Sequence, residues 1–182
     1  KLETNLANMA LAGLNVVRCA STAEAVRGAD IVTTVTADKR KAIILTPEMI
    51  VPGMHLNAVG GDCPGKTELD PRILLRDDAR VIVEYAAQSR IEGEIQQLPA
   101  EFQVIELSDV LSGRAQGRAS AAEVTVFDSV GFALEDFSAL RYLHRLHRRH
   151  GDGGGIDLVP TLRNPKDLHS LLRAPLAKRS AA

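Results

Sequence analysis

Asp30-Ile31-Val32-Thr33-Thr34-Val35-Thr36 (DIVTTVT) decides the fold. Branching at Cβ restricts χ1 against a helical turn, so such a run favours a strand. A continuous run of β-formers suits a strand buried on both faces. Working outward, Leu14–Cys19 (LNVVRC), His55–Gly60 (HLNAVG), Arg80–Tyr85 (RVIVEY) and Glu123–Asp128 (EVTVFD) read as further strands. Ser21 is placed to cap a helix through Val26 that stops at Gly28, and Thr46–Met49 reads as a turn or short helix. Lys1–Ala12 carries Leu2, Leu6, Met9 and Ala10 on one helical stripe, with Gly13 as its stop. Strands alternating with helical stretches predict an α/β domain with a largely parallel sheet. From Gly131 to Arg149 the pattern becomes one long helix, with Leu134, Phe137, Leu140 and Leu143 near one face. It runs into a flexible break at Gly151–Gly155, and the small, basic tail after Arg173 is expected to be disordered. No internal repeat is visible. The expected division is 1–130 for the sheet domain and 131–182 for a carboxyl-terminal helix and extension.

Composition narrows the function. The 182 residues carry 22 basic and 23 acidic side chains, a net charge of −1. That balance argues against a nucleic-acid or membrane-surface partner. Aromatics make up 3% with no Trp, too few for a base-stacking platform. Two cysteines, Cys19 and Cys63, make no disulfide scaffold and suggest a reducing compartment. No stretch approaches the ~20 apolar residues of a membrane span. The first residue is Lys1 rather than Met, which raises the expectation that the chain is a piece.

In an open α/β sheet, ligands bind where the strands end and helices begin. Those ends are Thr36, Gly60-Gly61-Asp62, Glu84-Tyr85 and Asp128-Ser129-Val130, several of them polar residues a buried strand has no packing reason to carry. Val59–Leu69 (VGGDCPGKTEL) matches the P-loop pattern formally, from Gly60 to Gly65-Lys66-Thr67. Two features oppose that reading. Pro71 follows four residues after Thr67, where a phosphate-cradling helix should be under way, and Asp62 would place a carboxylate in a nest meant for phosphate oxygens. Alternatively, two glycines allow a sharp turn and close approach to a flat ring, presenting Asp62 as a partly desolvated general acid or base. Local spacing alone favours a simple turn cap for Asp62.

Other candidates read blandly. His144, His147 and His150 lie among Arg145, Arg148 and Arg149, a setting for a solvated helix end rather than a metal. Cys63 has no flanking His and reads as a loop residue. Arg90, Glu92 and Glu94 line a site or face water; spacing leaves both open. The Gly-x-Gly-x-x-Gly of a dinucleotide fold does not occur, and Gly151–Ile156 follows a helix rather than a strand.

Taken together, DIVTTVTADK, PGMHLNAVGGDCPGKTEL, RIEGEIQQLP and VTVFDSVGFALEDF resemble the ornithine cyclodeaminase/μ-crystallin family, in order and approximate spacing, from about Leu14 to about Pro160. GGDCPGKTEL is similar to the cyclodeaminase branch. The resemblance implies a Rossmann-like NAD domain beside a separate substrate-binding and dimerisation domain, in a cytoplasmic homodimer. It implies conversion of L-ornithine to L-proline and ammonia, with hydride passing to NAD and back within each turnover. Asp62 then matches the catalytic acid/base, which also meets substrate, overturning the turn-cap reading. Thr36, Val59, Gly60, Gly61, Lys66 and Ser129 match cofactor contacts, and Val130 matches a substrate contact. No metal is implied. The family's glycine fingerprint, its ribose-binding acid and its substrate-carboxylate cations would precede Lys1. Only the later strands of the Rossmann-like sheet are therefore expected here, and the piece alone is expected neither to bind NAD well nor to turn over ornithine. NAD against NADP stays open. The alternatives are an NAD(P)-dependent amino-acid dehydrogenase or cyclic-imine reductase of the same family and, from another class, a P-loop nucleotide-binding protein.

Overall fold

The computed structural model describes residues 13–36, 42–131 and 133–151, together with Glu3, Ala7 and Met9. The chain divides into two units, Lys1–Val17 with Leu140–Ala182, and Arg18–Ala139. In the first, Glu3, Ala7 and Met9 are helical, Gly13 takes a φ of 77°, and Leu14 N donates to Met9 O at 3.3 Å. The rest of the expected Lys1–Ala12 helix lies outside the described residues, as do the glycine-rich break beyond Gly151 and the tail.

The second unit runs α1 (Thr22–Val26), β1 (Ile31–Thr34), β2 (His55–Ala58), α2 (Pro71–Leu74), β3 (Ala79–Val83), α3 (Ala86–Glu92), β4 (Ile105–Glu106), α4 (Leu107–Leu111) and β5 (Val124–Asp128). Helix α5 (Ala133–His150) begins in this unit and ends in the other. Short 3-10 turns lie at Pro47–Met49 and Glu94–Gln97. The five strands form one sheet in the order β1-β2-β5-β3-β4, every pairing parallel. This is a Rossmann-like α/β sheet, in which all strands end on the same edge.

Local chemistry explains the short helices. Ser21 Oγ accepts from Glu24 N at 3.2 Å, and Glu24 reaches back to Ala20 N at 2.7 Å, a capping box that opens α1. Asp70 caps α2 by accepting from Arg72 N, with Pro71 in the first turn. Helix α5 carries Glu135 and Asp136 in its first turn and His147, Arg148, Arg149 and His150 in its last, matching the helix dipole. LNVVRC is not a strand: residues 14–19 have no regular structure, and Val17 is 72% exposed, so its β-formers have no strand among the described residues to pair with.

In-register residues of parallel strands share a face. One face therefore carries Val32, Thr34, Leu56, Ala58, Val81, Val83, Val124, Val126 and Asp128. Its apolar members form the core with Val26 of α1, Ile73 and Leu74 of α2, and Leu45, Leu69 and Ile95. The opposite face mixes polar residues with Ile31, Ile82 and Phe127. Along it, Asn57 Nδ2 donates to Thr33 Oγ1, His55 bridges Asn57 and Thr125, and Arg118 Nη2 donates to Thr125 Oγ1. DIVTTVT thus forms its strand but is buried on one face only, with Ile31 64% exposed and Thr33 exposed on the other.

Candidate active site at the carboxyl edge of the sheet

The strand order sets the segments after β1, β2, β5 and β3 side by side. After β1 the chain reaches Thr36; after β2 it enters Val59–Lys66. Val59 N donates to Thr34 O and Ser129 N donates to Ala58 O, which ties these exits together beyond the last paired residues.

Lys66 is the hub of the first two segments. Its side chain is only 4% exposed, yet its ammonium reaches Thr36 O at 3.1 Å and Asp62 Oδ1 at 3.1 Å. The Asp62 side chain is 65% exposed. Its carboxylate is therefore anchored through Oδ1 while much of it remains exposed. Lys66 and Thr67 open no helix; they lie in extended chain leading to Leu69, which bridges Leu45. A P-loop needs helix amides at that point, so the P-loop alternative fails on geometry.

Four carboxylates, all less than a tenth exposed, staple the edge together. Glu84, after β3, accepts from Ser129 Oγ at 2.5 Å, Val130 N at 3.0 Å and Gly131 N at 2.7 Å. Asp128, ending β5, accepts from Glu94 N at 2.8 Å and Ile95 N at 3.1 Å. Glu94 in turn accepts from Glu68 N at 2.6 Å and Leu69 N at 3.0 Å. Glu68 accepts from Thr36 N at 2.9 Å and from the Thr36 hydroxyl. Each acid sits in or beside the segment clipped by the one before, so the series runs from β3 to Thr36. Buried carboxylates survive by accepting such charge-assisted hydrogen bonds. Burial still raises Glu94 to about 7, with the charges of Asp128 and Glu68 adding to it and the Glu68 and Leu69 amides opposing it. Burial raises Asp128 to about 6, with Glu84 adding and the Glu94 and Ile95 amides opposing.

The glycines answer to these acids. A Cβ on Gly60 would overlap the Glu68 carboxylate, and one on Gly93 would lie 2.5 Å from Asp128 Oδ2. A Cβ on Gly61 would press on Glu92 O and Lys66 O at 3.3 and 3.4 Å. Packing behind the loop thus constrains Gly60 strongly and Gly61 more mildly, in addition to the close ligand approach expected from sequence.

Thr36, Asp62 and Lys66 are brought into direct contact, and Gly60 joins them through Glu68. Val59 is exposed at the start of the same loop. Ser129 and Val130 are held by Glu84 and join the others through Asp128, Glu94 and Glu68. Nothing in the local sequence marks Glu68 as a site residue, and spacing leaves Glu94 open between lining a site and facing water. The available signal was the density of acids at strand ends in a chain of near-neutral charge. Arg90 donates to Pro99 O and Phe102 O, neither of which belongs to this edge. His144, His147 and His150 are exposed on α5, and the described residues contain no cluster suited to a metal.

The fold and this edge define a Rossmann-like α/β protein with a cluster of polar and charged groups at the carboxyl ends of a parallel sheet. The model of the ornithine cyclodeaminase/mu-crystallin family matches residues 2–150, and the chain belongs to that family. An ornithine cyclodeaminase from Brucella melitensis is 55% identical over 165 residues, covering 91% of this chain and 45% of that protein. Among solved structures, the iminosuccinate reductase of Paracoccus denitrificans in complex with NAD+ is 31% identical with a TM-score of 0.69, covering 85% of this chain and 48% of that one. An archaeal alanine dehydrogenase dimer with bound NAD is 29% identical with a TM-score of 0.61, covering 71% and 41%. The chain spans about half the length of the curated relatives it matches.

Proposed function

We propose that this chain contributes the acid/base edge of an NAD-dependent ornithine cyclodeaminase, a cytoplasmic homodimer that converts L-ornithine to L-proline and ammonia. The observation that carries the proposal is the 55% identity to an ornithine cyclodeaminase across 91% of the chain. The edge suits a nicotinamide nucleotide. Thr36 and Ser129 offer hydroxyl oxygens, and exposed Val59 offers an apolar surface for a ring. When bound, NAD would take hydride from the ornithine α-carbon and return it to the cyclic imine.

The chain's own residues handle the protons and the charge. Asp62 takes one proton from the α-amine as the imine forms and two from the δ-amine as it closes the ring, and returns two to the departing ammonia and one to the new ring nitrogen. Lys66 orients Asp62 through Oδ1, so that the exposed part of the carboxylate meets substrate. Glu68 and Lys66 hold Thr36 from opposite sides of its backbone. Glu84 holds Ser129 toward the cofactor and Val130 toward the substrate. Ornithine brings two ammonium groups at neutral pH, and Asp62 is an exposed carboxylate placed to receive one of them.

The test is turnover by the protein as its gene encodes it, given L-ornithine and less than one equivalent of NAD. Proline and ammonia should form over many turnovers per NAD with no net NADH. NADH accumulating one-for-one with substrate would instead assign a dehydrogenase of the same family.

A further inference from the structure

The two hydroxyls on this edge share a constraint. A serine or threonine hydroxyl has one proton and two lone pairs, and a carboxylate only accepts. Ser129 Oγ donates its proton to Glu84 Oε1 at 2.5 Å, and the other Glu84 oxygen is held by Val130 N and Gly131 N. The Thr36 hydroxyl donates to Glu68 Oε1, which also takes the Thr36 N–H, and Thr36 O already accepts from Lys66. Both side chains therefore meet the crevice with lone pairs and no proton. Glu84 also fills the Val130 and Gly131 amides ahead of α5, a pair that would otherwise attract an anion.

We propose that Glu84 and Glu68 are positioning residues that make Ser129 and Thr36 obligate hydrogen-bond acceptors. This edge then selects ligand groups that bear N–H or O–H and turns away phosphate and carboxylate oxygens. The inference rests on the nicotinamide reading above. In those terms, Ser129 takes the carboxamide N–H₂ of the nicotinamide end, and the pyrophosphate lies elsewhere.

The sharpest perturbation is Glu84→Gln, which keeps the shape and reverses one polarity. The glutamine oxygen has to serve the Val130 and Gly131 amides, because its N–H₂ would oppose them. Its nitrogen then faces Ser129 Oγ and donates to it, and the Ser129 proton swings into the crevice. Ser129 changes from acceptor to donor.

The measurement is the pair of dissociation constants for NAD and for its 3-acetylpyridine analogue, in which a methyl replaces the carboxamide nitrogen and the carbonyl remains. It uses the gene-encoded protein. The unaltered protein should prefer NAD by about tenfold, the effect of one unmet acceptor. In Glu84→Gln the preference should shrink to about twofold or less, or reverse, because the analogue's carbonyl can take the Ser129 proton. Ser129→Ala, which leaves Glu84 in place, should bring the ratio near one and covers the case in which Glu84→Gln does not fold. If Glu84 only supports the fold, Glu84→Gln weakens both ligands by the same factor and leaves the ratio unchanged, which overturns the proposal. If neither dinucleotide binds, the nicotinamide reading fails and the ligand half of this inference fails with it. The hydroxyl half is still decided by proton NMR on the 182-residue chain. A Ser129 hydroxyl proton protected from solvent exchange, and lost in Glu84→Gln, supports it; a freely exchanging one in the unaltered chain refutes it.

Discussion

Glu94→Gln should change how the stability of this chain depends on pH, and the structure sets the size of the change. Glu94 is fully buried and accepts from Glu68 N, Leu69 N and Gln97 Nε2. Burial raises its pKa from the ordinary 4.5 to about 7, so between those values the folded chain holds a proton that the unfolded chain has released. Its contribution is fully present below pH 4.5 and is lost as the pH rises through 7. At 1.36 kcal/mol per pKa unit, moving from 4.5 to about 7 corresponds to about 3 kcal/mol. Glutamine does not titrate. Its oxygen keeps one amide, and its N–H₂ faces the other, leaving a buried donor unmet at a cost of roughly 1–3 kcal/mol. At pH 4.5 the variant should therefore be less stable by about 1–3 kcal/mol, and by pH 8 the gap should close or slightly reverse. Asp128, raised to about 6, titrates in both proteins and largely cancels from the difference. Urea unfolding followed by circular dichroism suits a chain without Trp, with midpoints taken from pH 4.5 to 8. A gap that stays constant across that range would refute the burial of an ionisable Glu94 and the carboxylate series built on it.

Three further outcomes follow from the same edge. Gly60→Ala should destabilise the chain by about 3 kcal/mol by expelling the Glu68 carboxylate from Thr36; in an E68A background the same change should cost less than about 1 kcal/mol, and equal costs in both would refute the overlap. Asp62→Asn, in the gene-encoded protein, should abolish proline formation while changing NAD affinity less than about threefold, because asparagine keeps an oxygen that can accept from the buried Lys66 ammonium. Lys66→Met should lower NAD affinity by about tenfold by leaving Thr36 O and Asp62 without their shared ammonium, and titration calorimetry reads that loss directly.

The strands were legible in sequence where β-formers ran together, in IVTT, ARVIV and VTVFD, while HLNA pairs in the sheet without them. Ser21 and Gly28 likewise marked the limits of α1, since capping is a local interaction. LNVVRC misled because propensity cannot say whether a partner strand is present. Strand β4, two residues long, and α4, five, are too short to show a period. The edge at which the strands end could be read because their last residues turn polar whatever the ligand. The way it is held together could not. Glu68 acts on Thr36 32 residues away and on Gly60, and Glu94 acts on the Glu68 and Leu69 amides 26 and 25 residues away. No local spacing encodes such pairings. The packing of Glu68 behind Gly60 is a further constraint on the Gly60-Gly61 pair that no local spacing shows.

The central claim is that hydride leaves and returns to the same substrate within one turnover at this edge. It is tested most directly by giving the gene-encoded protein L-ornithine deuterated at the α-carbon with a trace of unlabelled NAD. The account predicts proline that keeps deuterium at C2 through many turnovers per NAD. Deuterium collecting in the reduced cofactor one-for-one with substrate consumed, or proline carrying only hydrogen at C2, would contradict it.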